Sequence, residues 1–339
     1  MLYNTLASQE QVTATPSSQD GVEDVLEQQI RAQGCQLIQQ AGILLNLPQR
    51  TMATAQVLFH RFWYVSSLTR FSARDIAMGA LYLSTKLQET RTGLRRFLNA
   101  FHFALCKQEH SASQRHIDAS NASLTPVDVK AASFASSIFP YRPLTDGGQR
   151  MYDLKNALVV AEMQILKRLG FNVHVILPYA LLANYLQVLG LTDSLITVSN
   201  GLPPSTLVNQ PDCHRTAAQN EESEDHGSKT CSLAQRAWSC LNDALQTPIY
   251  SLFPPHIIAC AAIHLAARLT MPVRQLPMSP RPWWTLFDAT EAEILTVCAH
   301  LMWHYRSSSG DMAAQSQNVV PFLNRHLLLR HIELKPKAT

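Results

Sequence analysis

Ile76-Ala77-Met78-Gly79-Ala80-Leu81-Tyr82-Leu83-Ser84-Thr85-Lys86-Leu87 and Ile258-Ala259-Cys260-Ala261-Ala262-Ile263-His264-Leu265-Ala266-Ala267-Arg268-Leu269 are one phrase written twice in a chain of 339 residues. Ile76, Ala77, Ala80, Leu81, Leu83, Lys86 and Leu87 reappear as Ile258, Ala259, Ala262, Ile263, Leu265, Arg268 and Leu269. In both copies apolar residues fall at i, i+4, i+7 and i+11, the period of one buried helical stripe, and a base precedes the last Leu. Repetition of such a phrase at this distance predicts two similar helical domains in tandem.

Composition agrees with that expectation. With 46% hydrophobic residues the chain is long enough for two ordinary cores, and its 12 glycines are too few for a turn-rich β architecture. A formal net charge of +3 gives no support to nucleic-acid binding, so no direct sequence-specific contact with nucleic acid is expected. The seven cysteines form no C-x-x-C pair, and Cys35, Cys240, Cys260 and Cys298 fall inside helical patterns as small core residues do, which fits a reducing compartment. The chain opens without a basic leader followed by an apolar run, and no stretch reaches the roughly 20 apolar residues needed to cross a bilayer. A soluble intracellular protein is expected.

Residues 1–21, rich in Ser, Thr and Gln, predict a flexible tail. Helical text then covers about 22–45, 48–65, 73–88 and, in a short helix, 92–104. Ser72 is the expected N-cap of the third helix, with Asp75 in place of the Glu of a capping box. The pattern dissolves at about 106–148, which predicts an insertion. It resumes in a fifth helix near 152–169, with Leu154, Leu158, Ala161, Ile165 and Leu169 on the buried stripe and Gly170 at C′. The second half repeats the count at about 178–189, 232–246, 254–269, 283–287 and 290–305, broken by an insertion at about 192–230. The expected fold is all-α, two five-helix domains at 22–171 and 172–305, followed by a C-terminal tail at 306–339.

No catalytic signature is present: there is no phosphate loop, no dinucleotide fingerprint, no nucleophile elbow and no H-E-x-x-H. Neither enzymatic activity nor a cofactor is expected. His300 and His304 lie four apart on a helix, but a structural zinc wants four ligands and nothing nearby supplies the rest, so no metal is expected. Lys86 and Glu89 sit at a helix end, where an exposed i, i+3 ion pair contributes a few tenths of a kcal/mol. Glu162 sits in the fifth helix, within AEMQILKRLGF at 161–171.

Around those residues the wording becomes specific. The chain reads AGILLNLPQ at 41–49, MATAQVLFHRF at 52–62, LSTKLQE at 83–89, LGFNVHV at 169–175 and YLQVL at 185–189. In these strings it resembles the cyclins, and among them the transcriptional cyclin L type, over about residues 22–305. The resemblance implies tandem cyclin boxes and a regulatory subunit that binds and activates a cyclin-dependent kinase in the nucleus, acting in RNA polymerase II transcription and pre-mRNA processing. It implies Lys86 and Glu162 as polar anchors for a kinase helix, Leu83, Leu87, Leu166 and Phe171 as the apolar floor beneath it, and Glu89 as a secondary contact. The chain departs from the family pattern at Gln88, where cyclins have an acid, and no Arg-Ser repeat follows Arg306. A general transcription factor B-like core, which uses the same doubled fold on promoter DNA, and a cyclin-fold scaffold that does not activate a kinase remain as alternatives.

Overall fold

A computed structural model describes residues 4–121, 141–145, 148–191, 232–270, 275–308 and 319–334; among them there is no strand. The helices are α1 (Gln9–Thr13), α2 (Pro16–Gln19), α3 (Asp24–Leu44), α4 (Gln49–Trp63), α5 (Ala73–Leu87), α6 (Leu94–Asn121) and α7 (Gln149–Arg168). They continue as α8 (Tyr179–Val188), α9 (Leu233–Ala244), α10 (Ile249–Leu252), α11 (Pro255–Leu269), a 3-10 turn at Trp283–Phe287, α12 (Glu291–Ser308), a 3-10 turn at Val320–Leu323 and α13 (Arg325–Leu334).

The repeated phrase forms the central helix of each of two cores. In the first, α5 packs against α3, α4 and α7; in the second, α11 packs against α8, α9 and α12. The sequence predicted one buried stripe on each, but with neighbours on several sides almost the whole circumference is buried, including Met78 and Ala261. The small residues of the phrase, Ala77, Gly79 and Ala80 in one copy and Ala259, Ala261 and Ala262 in the other, are what let so many helices approach. The stripe reaches the surface only at its last residue, Leu87 and Leu269.

The two cores share α4. Its inner face is buried in the first core through Leu58, Phe59 and Phe62, while Ala53 and Val57 belong to the second. Polar contacts cross the same boundary: Gln49 Nε2 donates to Asn242 Oδ1 at 3.0 Å and Gln36 Nε2 to Gln246 Oε1 at 3.0 Å.

Four expectations need correction. The N-terminal segment is held rather than loose: Asn4 exchanges two 2.8 Å bonds with the backbone of Ile176, Ala7 N–H donates to the Ser251 carbonyl at 2.8 Å, and buried Ser17 accepts from Leu68 N–H at 3.1 Å. Polar residues satisfied by backbone groups do the anchoring that apolar side chains were expected to be needed for. The fourth helix does not stop near 104. Lys107, Gln108, Glu109 and Ala112 are good helix formers, and Ala104, Leu105, Gln108 and Ala112 keep one buried face. The insertion expected from 106 therefore begins as helix, and at its other end Leu144 is buried in the first core while Tyr141 Oη donates to the Asn99 carbonyl at 3.1 Å. The insertion expected at about 192–230 lies outside the described residues. Within the expected C-terminal tail, residues 319–334 pack on the first core, where Leu323 and Leu328 are buried. They take Ser72 with them: that hydroxyl donates to the Leu323 carbonyl at 3.0 Å instead of capping α5, and Asp75 pairs with Arg74. The short fourth element of the second half falls where it was expected, as a 3-10 turn anchored by buried Trp283 and Trp284.

Candidate partner-docking face

The face begins where α5 and α7 touch. A Cβ added to Gly79 would stand 2.8 Å from Ala161 Cβ and 3.1 Å from the amide nitrogen of Glu162, so the helices cross at a contact only Gly permits. That crossing fixes Glu162 beside α5. Two turns further along α5, Lys86 points back toward the helix N-terminus, as helical side chains do. Its ammonium lies 4.7 Å from the centroid of the Tyr82 ring and 2.5 Å from Glu162 Oε1. The expected helix-end pair of Lys86 with Glu89 does not form: Lys86 pairs instead with Glu162, which the packing of α7 on α5 brings beside it.

The pair is asymmetric in exposure: the Lys86 side chain is 53% accessible and that of Glu162 14%. Water screens such a pair, so its contribution to folding is at most about 1 kcal/mol. The carboxylate is already largely desolvated and has only part of its acceptor capacity in use, which leaves it able to take a donor from outside. An open groove of about 610 Å³ runs beside the pair, lined by Tyr82, Thr85, Lys86, Glu89, Thr90, Arg91 and Thr92.

The apolar residues expected around the pair fall at different depths. Leu83 is buried in the core and supports the face from below; Leu166 is half-buried; Leu87 is exposed. Phe171 is 68% accessible and is placed there by the end of α7. Gly170 N–H donates to Lys167 O at 3.3 Å and Phe171 N–H to Leu166 O at 2.9 Å, a Schellman arrangement in which both Gly170 and Phe171 have positive φ. Glu89 also has positive φ, at the turn that ends α5, and is exposed.

Sequence reasoning missed several residues of this face. Val159, Val160 and Met163 are exposed on the outer side of α7, flanking Glu162. Their signal was present, since all three fall off the buried stripe of Leu158, Ala161 and Ile165. Arg50 was missed as well: it donates to Gln88 Oε1 from Nε at 2.8 Å and from Nη2 at 2.6 Å, while Gln88 Nε2 donates to Thr54 Oγ1 at 3.2 Å. Nothing in the sequence joins positions 50 and 88. His300 and His304 lie apart from this face, on α12 beside a second groove of about 750 Å³, and burial lowers the pKa of both. Among the described residues no group of three or more His, Cys, Asp or Glu is placed to hold a metal, and no helix is long and apolar enough to cross a membrane.

The helical fold has known relatives. Residues 1–117 match the model of the cyclin N-terminal domain. The chain is 32% identical to Cyclin-L1 of Homo sapiens over 336 residues, covering 99% of this chain and 50% of that protein. It is 32% identical to Cyclin-L1-1 of Oryza sativa over 309 residues, covering 89% of this chain and 56% of that one. The chain thus spans about half the length of the curated relatives it matches. Among solved structures it is similar to a chain of the yeast RNA Pol II CTD kinase CTDK-1 complex, with a TM-score of 0.57 and 14% identity over 91% of this chain and 75% of that one. That likeness is one of fold alone. The chain belongs to the cyclin family and is cyclin-L-like.

Proposed function

We propose that this chain is the non-catalytic regulatory subunit of a cyclin-dependent kinase, and that the pair acts in the nucleus on RNA polymerase II transcription and pre-mRNA processing. Two boxes, at about 22–171 and 172–305, go with this reading. The observation that carries it is the Lys86–Glu162 pair, supplied by two helices in contact at Gly79 and set among exposed Leu87, Met163 and Phe171. A kinase helix laid across this face can bury its apolar side chains on those residues and exchange hydrogen bonds with the two charges. Packing of that helix in one orientation favours the active arrangement of the kinase, in which a Glu of the same helix pairs with the lysine that holds ATP. Binding energy is the cyclin's contribution, with no group of its own in the reaction.

Lys86→Ala and Glu162→Ala should each weaken kinase binding by about 30-fold or more, because truncating one partner of a desolvated charged contact costs about 2 to 5 kcal/mol. The melting midpoint of the free chain should barely move. Arg268→Ala, at the equivalent place in α11, is the control and should bind as the wild type does. Co-purification with identification of the bound kinase, followed by titration calorimetry, measures both. Equal losses for Lys86→Ala and Arg268→Ala, or none for either, would exclude the first box as the docking face.

A further inference from the structure

Gln88 occupies the position where the family pattern carries an acid, and Arg50 is what the structure places against it. The guanidinium gives two of its five N–H groups to the single oxygen Gln88 Oε1, at 2.8 and 2.6 Å. Gln88 is held in turn through its Nε2 on Thr54 Oγ1 and through its backbone N–H on the Ser84 carbonyl at 2.9 Å. A carboxamide fixes an arginine without neutralising it, whereas a carboxylate at the same place forms a bidentate ion pair and cancels the charge. No carboxylate among the described residues lies within 4.0 Å of Arg50, which is exposed. The position matters because Gln88 caps α5 directly after Leu87, two residues beyond Lys86. Lys86 leans from this helix end toward α7 and Gln88 toward α4, so a positive charge stands on either side of it. One of those charges is paired with Glu162 and the other is free.

We infer that Arg50, aligned by Gln88, is a second cationic contact of the docking face and selects a kinase with an acidic side chain opposite it. This rests on the kinase-docking reading above. An acid at that place meets N–H donors already held in position, so less side-chain entropy is lost on binding than with a freely rotating arginine. A kinase with a lysine or arginine there meets repulsion.

The probe is the kinase recovered with the wild-type chain, purified and titrated calorimetrically at low and at raised salt. Gln88→Glu keeps Arg50 but neutralises it, and Arg50→Ala removes it; each should weaken binding by about tenfold at low salt, with a shallower salt dependence than the wild type. The double variant should bind more weakly than either single one, because a carboxylate at position 88 without its arginine repels the acidic side chain of the kinase, and raised salt should relieve that extra loss. Circular dichroism and melting of each variant confirm that the fold is intact. If Lys86→Ala abolishes binding while Gln88→Glu and Arg50→Ala bind with wild-type affinity and salt dependence, the docking reading stands and the role of Arg50 falls. If Lys86→Ala also binds normally, both fall.

Discussion

At the scale of single residues, a buried polar cluster gathers side chains from separate helices around His60. Arg31 Nη1 pairs with Glu27 Oε1 at 3.2 Å, its Nε donates to His60 Nδ1 at 3.3 Å and its Nη2 to the His60 carbonyl at 3.1 Å. Because Nδ1 accepts from Arg31, the ring proton sits on Nε2, which faces the Leu245 carbonyl at 3.1 Å and Cys35 Sγ at 3.1 Å. One imidazole thereby ties the first core to the second. Burial, helped by the Arg31 charge, holds the His60 pKa down to about 3. The folded chain therefore keeps His60 neutral while the unfolded chain binds a proton below about pH 6.5. Stability contributed by this group is complete above pH 6.5 and is lost as the pH falls toward 3, at up to about 1.4 kcal/mol per pH unit. His60→Gln can accept from Arg31 and donate to Leu245 without titrating. Urea unfolding between pH 7 and 5 should show a flatter loss of stability in that variant than in the wild type, and equal slopes would count against the assignment.

Among the elements, the crossing of α5 and α7 sets the geometry of the candidate docking face. Gly79 is legible in the sequence as a glycine inside a helical phrase, which costs about 1 kcal/mol relative to Ala unless packing requires it. Packing does require it, since Ala161 and the backbone of Glu162 fill the space a side chain would need. Gly79→Val should destabilise the chain by about 2 kcal/mol or more through overpacking. It should also weaken kinase binding, because the two helices that carry Lys86 and Glu162 are forced apart. Denaturant unfolding reads the first effect and calorimetry at a temperature where the variant is folded reads the second; a variant with normal stability and normal binding would show that the close contact is dispensable. The extension of α6 belongs to this scale too. Its Ser-rich text from 106 onward looked non-periodic because only one residue per turn, Leu105, Gln108 and Ala112, is needed to hold a helix against a single neighbouring face.

For the whole molecule, residues 319–334 are part of the first core's architecture. Leu323 and Leu328 are buried against it, with Phe322 and Ile332 packed alongside. Leu328→Ala should lower stability by about 2 to 5 kcal/mol, as for other core leucines. Leu327→Ala, whose side chain is 41% exposed, should stay within about 0.5 kcal/mol. Urea midpoints at constant m-value compare the two, and equal effects would mean that the C-terminal segment does not dock in solution. The N-terminal segment acts in a similar way from the other side, bonding to both Ile176 and Ser251 and so bracing one half of the molecule against the other.

Repetition and period were enough to read the helical class, the doubled core and the two helices at its centres, because burial of Ile76, Leu81, Ile258 and Ile263 leaves a local trace at helical spacing. Lys86 and Glu162 were singled out only through wording shared with a family, and their pairing with each other was not foreseen. Contacts between residues distant in the chain leave no such trace: Arg50 on Gln88, His60 on Leu245, Ser72 on Leu323 and Asn4 on Ile176 are single polar meetings with no period to announce them. Their partners are chosen by where the packed helices bring unsatisfied donors and acceptors together. The tertiary structure alone therefore decided how the two boxes are joined, where residues 319–334 are fastened and which side of Lys86 is left charged.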